Sequence, residues 1–213
     1  MVTFNIIYTA PINPAGVSPR LTLAQVWEGL RYKVRRPERF VPVITSCEIL
    51  SSIRSSSSSS NNNNNNRPNS SITADKTSAA DTSAPGTTTA ANTGSNSGPD
   101  GDQDGPEEVI TRRVTFHPDS APKKKTVVEV CKLYPPRRVD FVQEDGTVIQ
   151  NFVGDGPEGE MFLTYAFEWR VPGVAEGEDK KRVEEGFWRT AKMAVEGSID
   201  TIRAIAKGEM TMD

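Results

Sequence analysis

Residues 161–207 read MFLTYAFEWRVPGVAEGEDKKRVEEGFWRTAKMAVEGSIDTIRAIAK, and the change of period inside this stretch decides the fold. In its first ten residues Met161, Leu163, Tyr165, Phe167 and Trp169 alternate with Phe162, Thr164, Ala166, Glu168 and Arg170. That is the pattern of a strand with two different faces, and the more apolar set is expected to point inward. From 178 to 207 the period becomes helical. Val183, Phe187, Ala191, Ala194, Val195, Ser198, Ile199, Ile202 and Ile205 form one stripe, with Lys180, Glu184, Arg189, Lys192, Glu196 and Arg203 on the other side. Gly186 and Gly197 interrupt this helix at a cost of about 1 kcal/mol each relative to Ala, which predicts close approach of another surface there.

Working back from this stretch, strand signals recur at 109–116, 126–134, 137–143 and 147–154, separated by turn cues at 118–122, Pro135-Pro136, Asp145-Gly146 and 154–159. Asp145-Gly146 between Val- and Phe-rich runs is the strongest hairpin signal in the chain. Near the start, Phe4, Ile6 and Tyr8 alternate over 3–9, and Pro11 and Pro14 end that strand. Thr22 followed by Gln25 forms a capping box ahead of a helix over 23–36, whose apolar positions are Leu23, Val26, Trp27, Leu30 and Val34. After a short turn or second helix beyond Arg36-Pro37, residues 41–50 read as a second strand. The result is an α+β fold, a curved antiparallel sheet of about seven strands wrapped around one long C-terminal helix. No other element can cover so much apolar surface, so the helix must lie on the concave face, and such wrapping leaves an internal cavity.

Residues 51–107 break this order. They hold almost no large apolar side chain beyond Ile53 and Ile72, and carry a run of Ser at 55–60 and of Asn at 61–66. A tract of this kind cannot bury enough surface to offset roughly 1–2 kcal/mol of ordering entropy per residue, so it reads as a disordered insert within a single domain spanning 1–213. It holds Arg54, Arg67 and Lys76 against Asp75, Asp81, Asp100, Asp102, Asp104 and Glu107, which accounts for the whole formal charge of −3. The remaining 156 residues are neutral and suit one core. Neutrality argues against nucleic acid and anionic membranes as partners. The runs Arg112-Arg113, 123–125 and Arg137-Arg138 read as solvated edges.

Several chemistries are excluded early. Cys47 and Cys131 lack a paired spacing, so neither a zinc site nor a redox pair is indicated. His117, at a strand end before Pro118, is the single histidine, which removes His-based metal clusters and most nucleophile triads. The glycine-rich segment 154–159 precedes a strand and lacks a following Lys-Ser/Thr, so it is a turn and not a phosphate cradle. Neither a signal peptide nor a membrane span is read in the chain; a cytoplasmic protein without metal or cofactor is expected.

Alternation assigns the inner faces as Ile110, Arg112, Val114 and Phe116 in the third strand and Val139 and Phe141 in the fifth. The fourth strand offers two faces, and the set Val127, Glu129, Cys131 and Leu133 is favoured inward because Lys132 is the harder residue to bury. An inward Arg112 or Glu129 needs a partner, which is the other residue or a ligand. The candidate ligand-binding residues are therefore Arg112, Glu129, Phe141, Tyr165, Trp169 and Phe187. Of these, Glu129, Arg112 and Tyr165, with Arg137, are also candidates for acid, base or oxyanion-stabilising roles. A satisfied ion pair and plain aromatic core are the competing readings.

The stretches Tyr8-Thr9-Ala10-Pro11-Ile12-Asn13, Val130-Cys131-Lys132-Leu133-Tyr134, Val139-Asp140-Phe141 with Gln143-Glu144-Asp145-Gly146, Phe167-Glu168-Trp169-Arg170, and the helical run from Ala191 to Ile199 resemble the AtaL-like family. That family is similar in fold to the Bet v 1/START (SRPBCC) superfamily of helix-grip ligand binders. The resemblance implies a helix-grip fold, a fungal or bacterial origin and, for some fungal members, a place in secondary-metabolite gene clusters. It carries over no catalytic residue. Homopolymeric Ser and Asn runs fit a filamentous fungus, and the insert departs from the short hairpin connection expected there. Three functions follow as expectations: binding of a small hydrophobic ligand in an internal cavity, a cofactor-independent cyclase, hydrolase or lyase of a biosynthetic pathway, or an interaction module that uses the insert.

Overall fold

The N-terminal alternation forms β1 (Val2–Pro11), with Phe4, Ile6 and Ala10 buried and Asn5 and Ile7 exposed. The structure, a computed structural model, describes residues 1–55, 105–118 and 126–212. Helix α1 (Leu23–Arg35) starts at the expected capping box: the Gln25 amide donates to Thr22 Oγ1 and the Thr22 amide to Gln25 Oε1. A single 3-10 turn (Pro37–Arg39) follows, with Pro at its start where its missing N–H costs nothing. Then come β2 (Ile44–Arg54), β3 (Glu108–Phe116), β4 (Thr126–Tyr134), β5 (Arg138–Gln143), β6 (Val148–Asp155), β7 (Met161–Val171) and α2 (Glu178–Ala206).

The seven strands form one antiparallel sheet in the order β1-β7-β6-β5-β4-β3-β2. The curved sheet is the expected one, and α2 packs on β1 and β7 with α1 beside it. Asp145-Gly146 makes the β5–β6 turn, where Gly146 adopts φ 82° and Thr147 donates its amide to Asp145 Oδ1. A left-handed conformation there suits glycine.

Strand β2 differs from the expected 41–50. It runs on to Arg54, pairing Ser52 with Ile110 and Arg54 with Glu108. The ladder with β3 overrides the polar composition of these residues, and the Ser55 amide donates to the Glu107 carbonyl at 2.8 Å. Residues 51–55 are therefore not part of an unstructured segment; residues 56–104 lie outside the described residues.

Two further readings are corrected. Gly186 and Gly197 face open space, whereas Gly29 of α1 lies so close to α2 that a Cβ there would meet Ile202 Cγ1 at 2.4 Å. Helical period marked the wrong glycines because it says nothing of which helix face meets a second helix. Arg203, assigned to the polar side of α2, is buried and donates to the carbonyls of Ile12 and Pro19. Its guanidinium satisfies loop carbonyls that no ladder reaches.

Candidate functional site

The inner face of the sheet is apolar at both ends and polar in the middle. In β4 the buried set is Val127, Glu129, Cys131 and Leu133, as expected. Directly opposite Glu129 in the ladder stands Arg112 of β3. Arg112 is 3% exposed and belongs to the interior, not to a solvated edge; Arg113 is the exposed member of that run and pairs with Glu48. Arg112 Nε and Nη2 donate to Glu129 Oε2 at 2.9 and 2.6 Å, and Gln143 Nε2 donates to Glu129 Oε1 at 2.9 Å. Its third arm, Nη1, donates to the carbonyls of Lys33 and Val34 at 3.0 and 2.7 Å, which are end carbonyls of α1 that the helix itself leaves open. The guanidinium also lies 5.0 Å from the Phe141 ring centroid. Arg112, Glu129 and Phe141 thus form one satisfied group that clamps the C-terminal end of α1 to the sheet.

Tyr165, Trp169 and Phe187 form a second group. Trp169 stacks on Phe187 at 4.2 Å and on Phe167 at 4.4 Å, and Phe167 meets Tyr165 edge-on at 6.1 Å. Phe4 closes the row against Phe187 at 5.3 Å. This aromatic row runs along β7 and is capped by α2. Arg137 joins neither group, since it is partly exposed and bound to Asp155 at 2.7 Å.

Lys33 links the two groups and was not among the expected site residues. Its Nζ donates to Tyr165 Oη at 2.9 Å and to Ser198 Oγ at 3.3 Å, and lies 4.1 Å from the Tyr165 ring centroid. Ser198 in turn donates to the Ala194 carbonyl at 2.6 Å. Burial, and then the positive charge of Arg112, lower the Lys33 ammonium to about 7, with Glu129 opposing the shift. Burial pushes the Tyr165 phenol well above its ordinary range, so it stays protonated. The expected stripe of α1, Leu23, Val26, Trp27, Leu30 and Val34, left position 33 out; its spacing of three from Leu30 and seven from Val26 was the signal that could have found it.

Asn151 of β6 is fully buried, and its ladder partners are Val139 and Tyr165, both on the inner face. Among the described residues, neither its amide nitrogen nor its amide oxygen has a hydrogen-bond partner. The signal for it was alternation, because Ile149, Asn151 and Val153 share one side of β6.

Two surface clefts are described, both away from this interior. One, of about 260 Å³, lies between α1 and α2 around Gly29, Ile202 and Met212; the other, of about 270 Å³, lies beside Tyr32, Arg35 and Arg54. None of Arg112, Glu129, Phe141, Tyr165, Trp169 or Phe187 lines either one. Side chains of α1 and α2 reach the inner face directly, as the contacts of Lys33 and Phe187 illustrate. No helix among the described residues is long and apolar enough to cross a membrane.

Seven antiparallel strands gripping a long C-terminal helix, with a polar group set inside, define the helix-grip class of the Bet v 1-like proteins. The Zhui aromatase/cyclase from Streptomyces sp. R1128 shares this fold, with a TM-score of 0.50 at 12% identity and 96% of each chain covered. TTHA0849 from Thermus thermophilus superposes with a TM-score of 0.49 at 11% identity, over 96% of this chain and 99% of that one. The family model described as Acetylaranotin biosynthesis cluster protein L, AtaL, matches residues 6–62 and 94–209, and this chain belongs to that family. The Acetylaranotin biosynthesis cluster protein L of Aspergillus terreus (strain NIH 2624 / FGSC A1156) is 37% identical over 54 residues. That match spans 25% of this chain and 35% of the relative.

Proposed function

We propose that this chain holds one small, mostly apolar molecule against the inner face of its sheet, as part of a small-molecule biosynthetic pathway. The observation that carries this reading is the Asn151 side chain, whose two amide atoms are buried without partners. Each such group costs about 1–3 kcal/mol unless something supplies the missing hydrogen bonds. A carboxamide both donates and accepts, so it suits a hydroxyl, a carbonyl or an amide on an otherwise apolar ligand. The aromatic row from Phe4 to Tyr165 supplies the apolar wall, and Lys33 with Ser198 a second polar anchor. In this reading Arg112 and Glu129 act as a structural clamp, since each is already satisfied by the other and by neighbouring groups. Membership of the AtaL family and the aromatase/cyclase-type fold support a role in secondary metabolism of fungal type.

Isothermal titration with 1-naphthol, an apolar ring system with one hydroxyl, tests the reading. Saturable binding of one molecule per chain is expected, weakened roughly tenfold by Asn151→Leu, which is the loss of one hydrogen bond of about 1.4 kcal/mol. Absence of saturable binding in the unaltered protein overturns it.

A further inference from the structure

We infer that Lys33 captures a carbonyl group: its Nζ condenses with an aldehyde or ketone carried by the bound molecule to form an imine, with Tyr165 and Ser198 handling the protons. The inference rests on the ligand-binding reading above and names the reactive class of ligand within it.

The geometry around Nζ carries the case. Among the described residues, Nζ has two partners, Tyr165 Oη at 2.9 Å and Ser198 Oγ at 3.3 Å, and both accept from it. A neutral amine has two N–H bonds and one lone pair. Both N–H bonds are therefore directed, and the lone pair is the position no protein group claims. The Asn151 amide, buried and unpartnered, belongs to the residue directly opposite Tyr165 in the β6–β7 ladder, so a free donor lies on the strand beside this hydroxyl.

Charge favours the reactive form. The positive charge of Arg112 on β3 opposes protonation of the amine, Glu129 of β4 offsets part of that effect, and the hydroxyls of Tyr165 and Ser198 face Nζ from β7 and α2. A desolvated lysine in the field of a second cation is an environment in which an amine acts as a nucleophile at neutral pH. Tyr165 remains a proton donor throughout, because burial keeps its phenol protonated.

The step balances without any co-reactant. The Nζ lone pair forms a bond to the carbonyl carbon, and the C–O π pair moves to oxygen. Both N–H protons reach that oxygen by way of Ser198 and Tyr165, the C–O bond breaks, and one water leaves as the C=N bond forms. Hydrolysis reverses the sequence and returns the amine.

Reductive trapping with benzaldehyde and sodium cyanoborohydride at pH 7, followed by peptide mass spectrometry, tests the inference on the full chain. Lys33 is expected to be labelled at least about tenfold faster than each exposed lysine, since an ordinary lysine at this pH is almost wholly protonated. Tyr165→Phe is expected to slow labelling while leaving the amine in place, and Lys33→Met to abolish it at that site. Should Lys33→Met fail to fold, as judged by circular dichroism, the labelling ranking in the unaltered protein decides alone. Labelling spread over exposed lysines with Lys33 unmodified overturns the inference. If 1-naphthol still binds in that case, the imine fails and the holding role stands; if neither molecule binds, both fail.

Discussion

Replacing Arg112 by Met removes both bonds that its guanidinium makes to Glu129 Oε2 and the two it makes to the end carbonyls of α1. Glu129, 4% exposed in the parent, keeps Gln143 as its remaining partner. Breaking a buried pair from one side costs about 3–5 kcal/mol, most of it the penalty of an uncompensated charge. For a chain of this size that corresponds to a fall in melting temperature of roughly 6–20 °C. The double variant Arg112→Met/Glu129→Leu removes the stranded charge along with its partner. It is therefore expected to be more stable than Arg112→Met alone by about 2 kcal/mol, because apolar replacement of a whole buried pair is often neutral or better. Urea denaturation followed by circular dichroism measures the parent, Arg112→Met, Glu129→Leu and the double variant. A single variant within about 1 kcal/mol of the parent, or a double variant whose loss equals the sum of the two single losses, refutes the clamp.

The Lys33 shift has a pH signature. Its folded value of about 7 lies below its ordinary 10.5, so the unfolded chain binds more protons between these values and stability rises with pH across that window. Going down in pH, the contribution is lost from the unfolded value to the folded one and is flat below about 7. Relative to Lys33→Met, the parent is expected to gain up to about 1.4 kcal/mol per pH unit between these limits, read from chemical denaturation at a series of pH values. Gly29→Ala forces a methyl against Ile202, a stiff β-branched side chain, and is expected to cost about 1–2 kcal/mol net of the helix gain; in an Ile202→Ala background, which lacks the Cγ1, Cγ2 and Cδ1 atoms that the methyl meets, the same substitution should cost nothing, read from chemical denaturation. Replacing residues 56–104 by a short turn joins strand ends already bonded at Ser55 and Glu107, so it is expected to raise stability by about 2 kcal/mol or less. A lower melting temperature after this deletion contradicts the account of that segment.

The faces of the strands were legible because alternation is a local property: Glu129 and Cys131 had to share a side, and burying Lys132 instead would have been costly; the pairing of β1 with β7 was not, because it joins the two ends of the sheet's sequence. The inward placement of Tyr165 and Trp169 was legible for the same reason, and that of Phe187 from the helical period of α2. Lys33 and Asn151 were not, although their spacing from buried neighbours could have pointed to them, because polar type argued for solvent and, for Lys33, the groups that meet it come from distant parts of the chain. Lys33 meets Tyr165 across 132 residues and Ser198 across 165. Arg203 was misplaced by the same reasoning, since the carbonyls that hold it belong to a loop near residue 19. Gly29 and Ile202 show the complementary limit: a close helix crossing depends on where two helices meet, which neither helix encodes alone. Strand β2 outran its composition because Glu108 offers Ser52, Arg35 and Arg54 a common acceptor.

The central claim is that a small molecule completes the interior beside Asn151. Native mass spectrometry of the full chain after exposure to lipid and polyketide extracts tests it most directly. The account predicts one retained small molecule per chain in the unaltered protein and marked loss of it in Asn151→Leu. Recovery of the bare protein mass alone, or equal retention by both proteins, contradicts it.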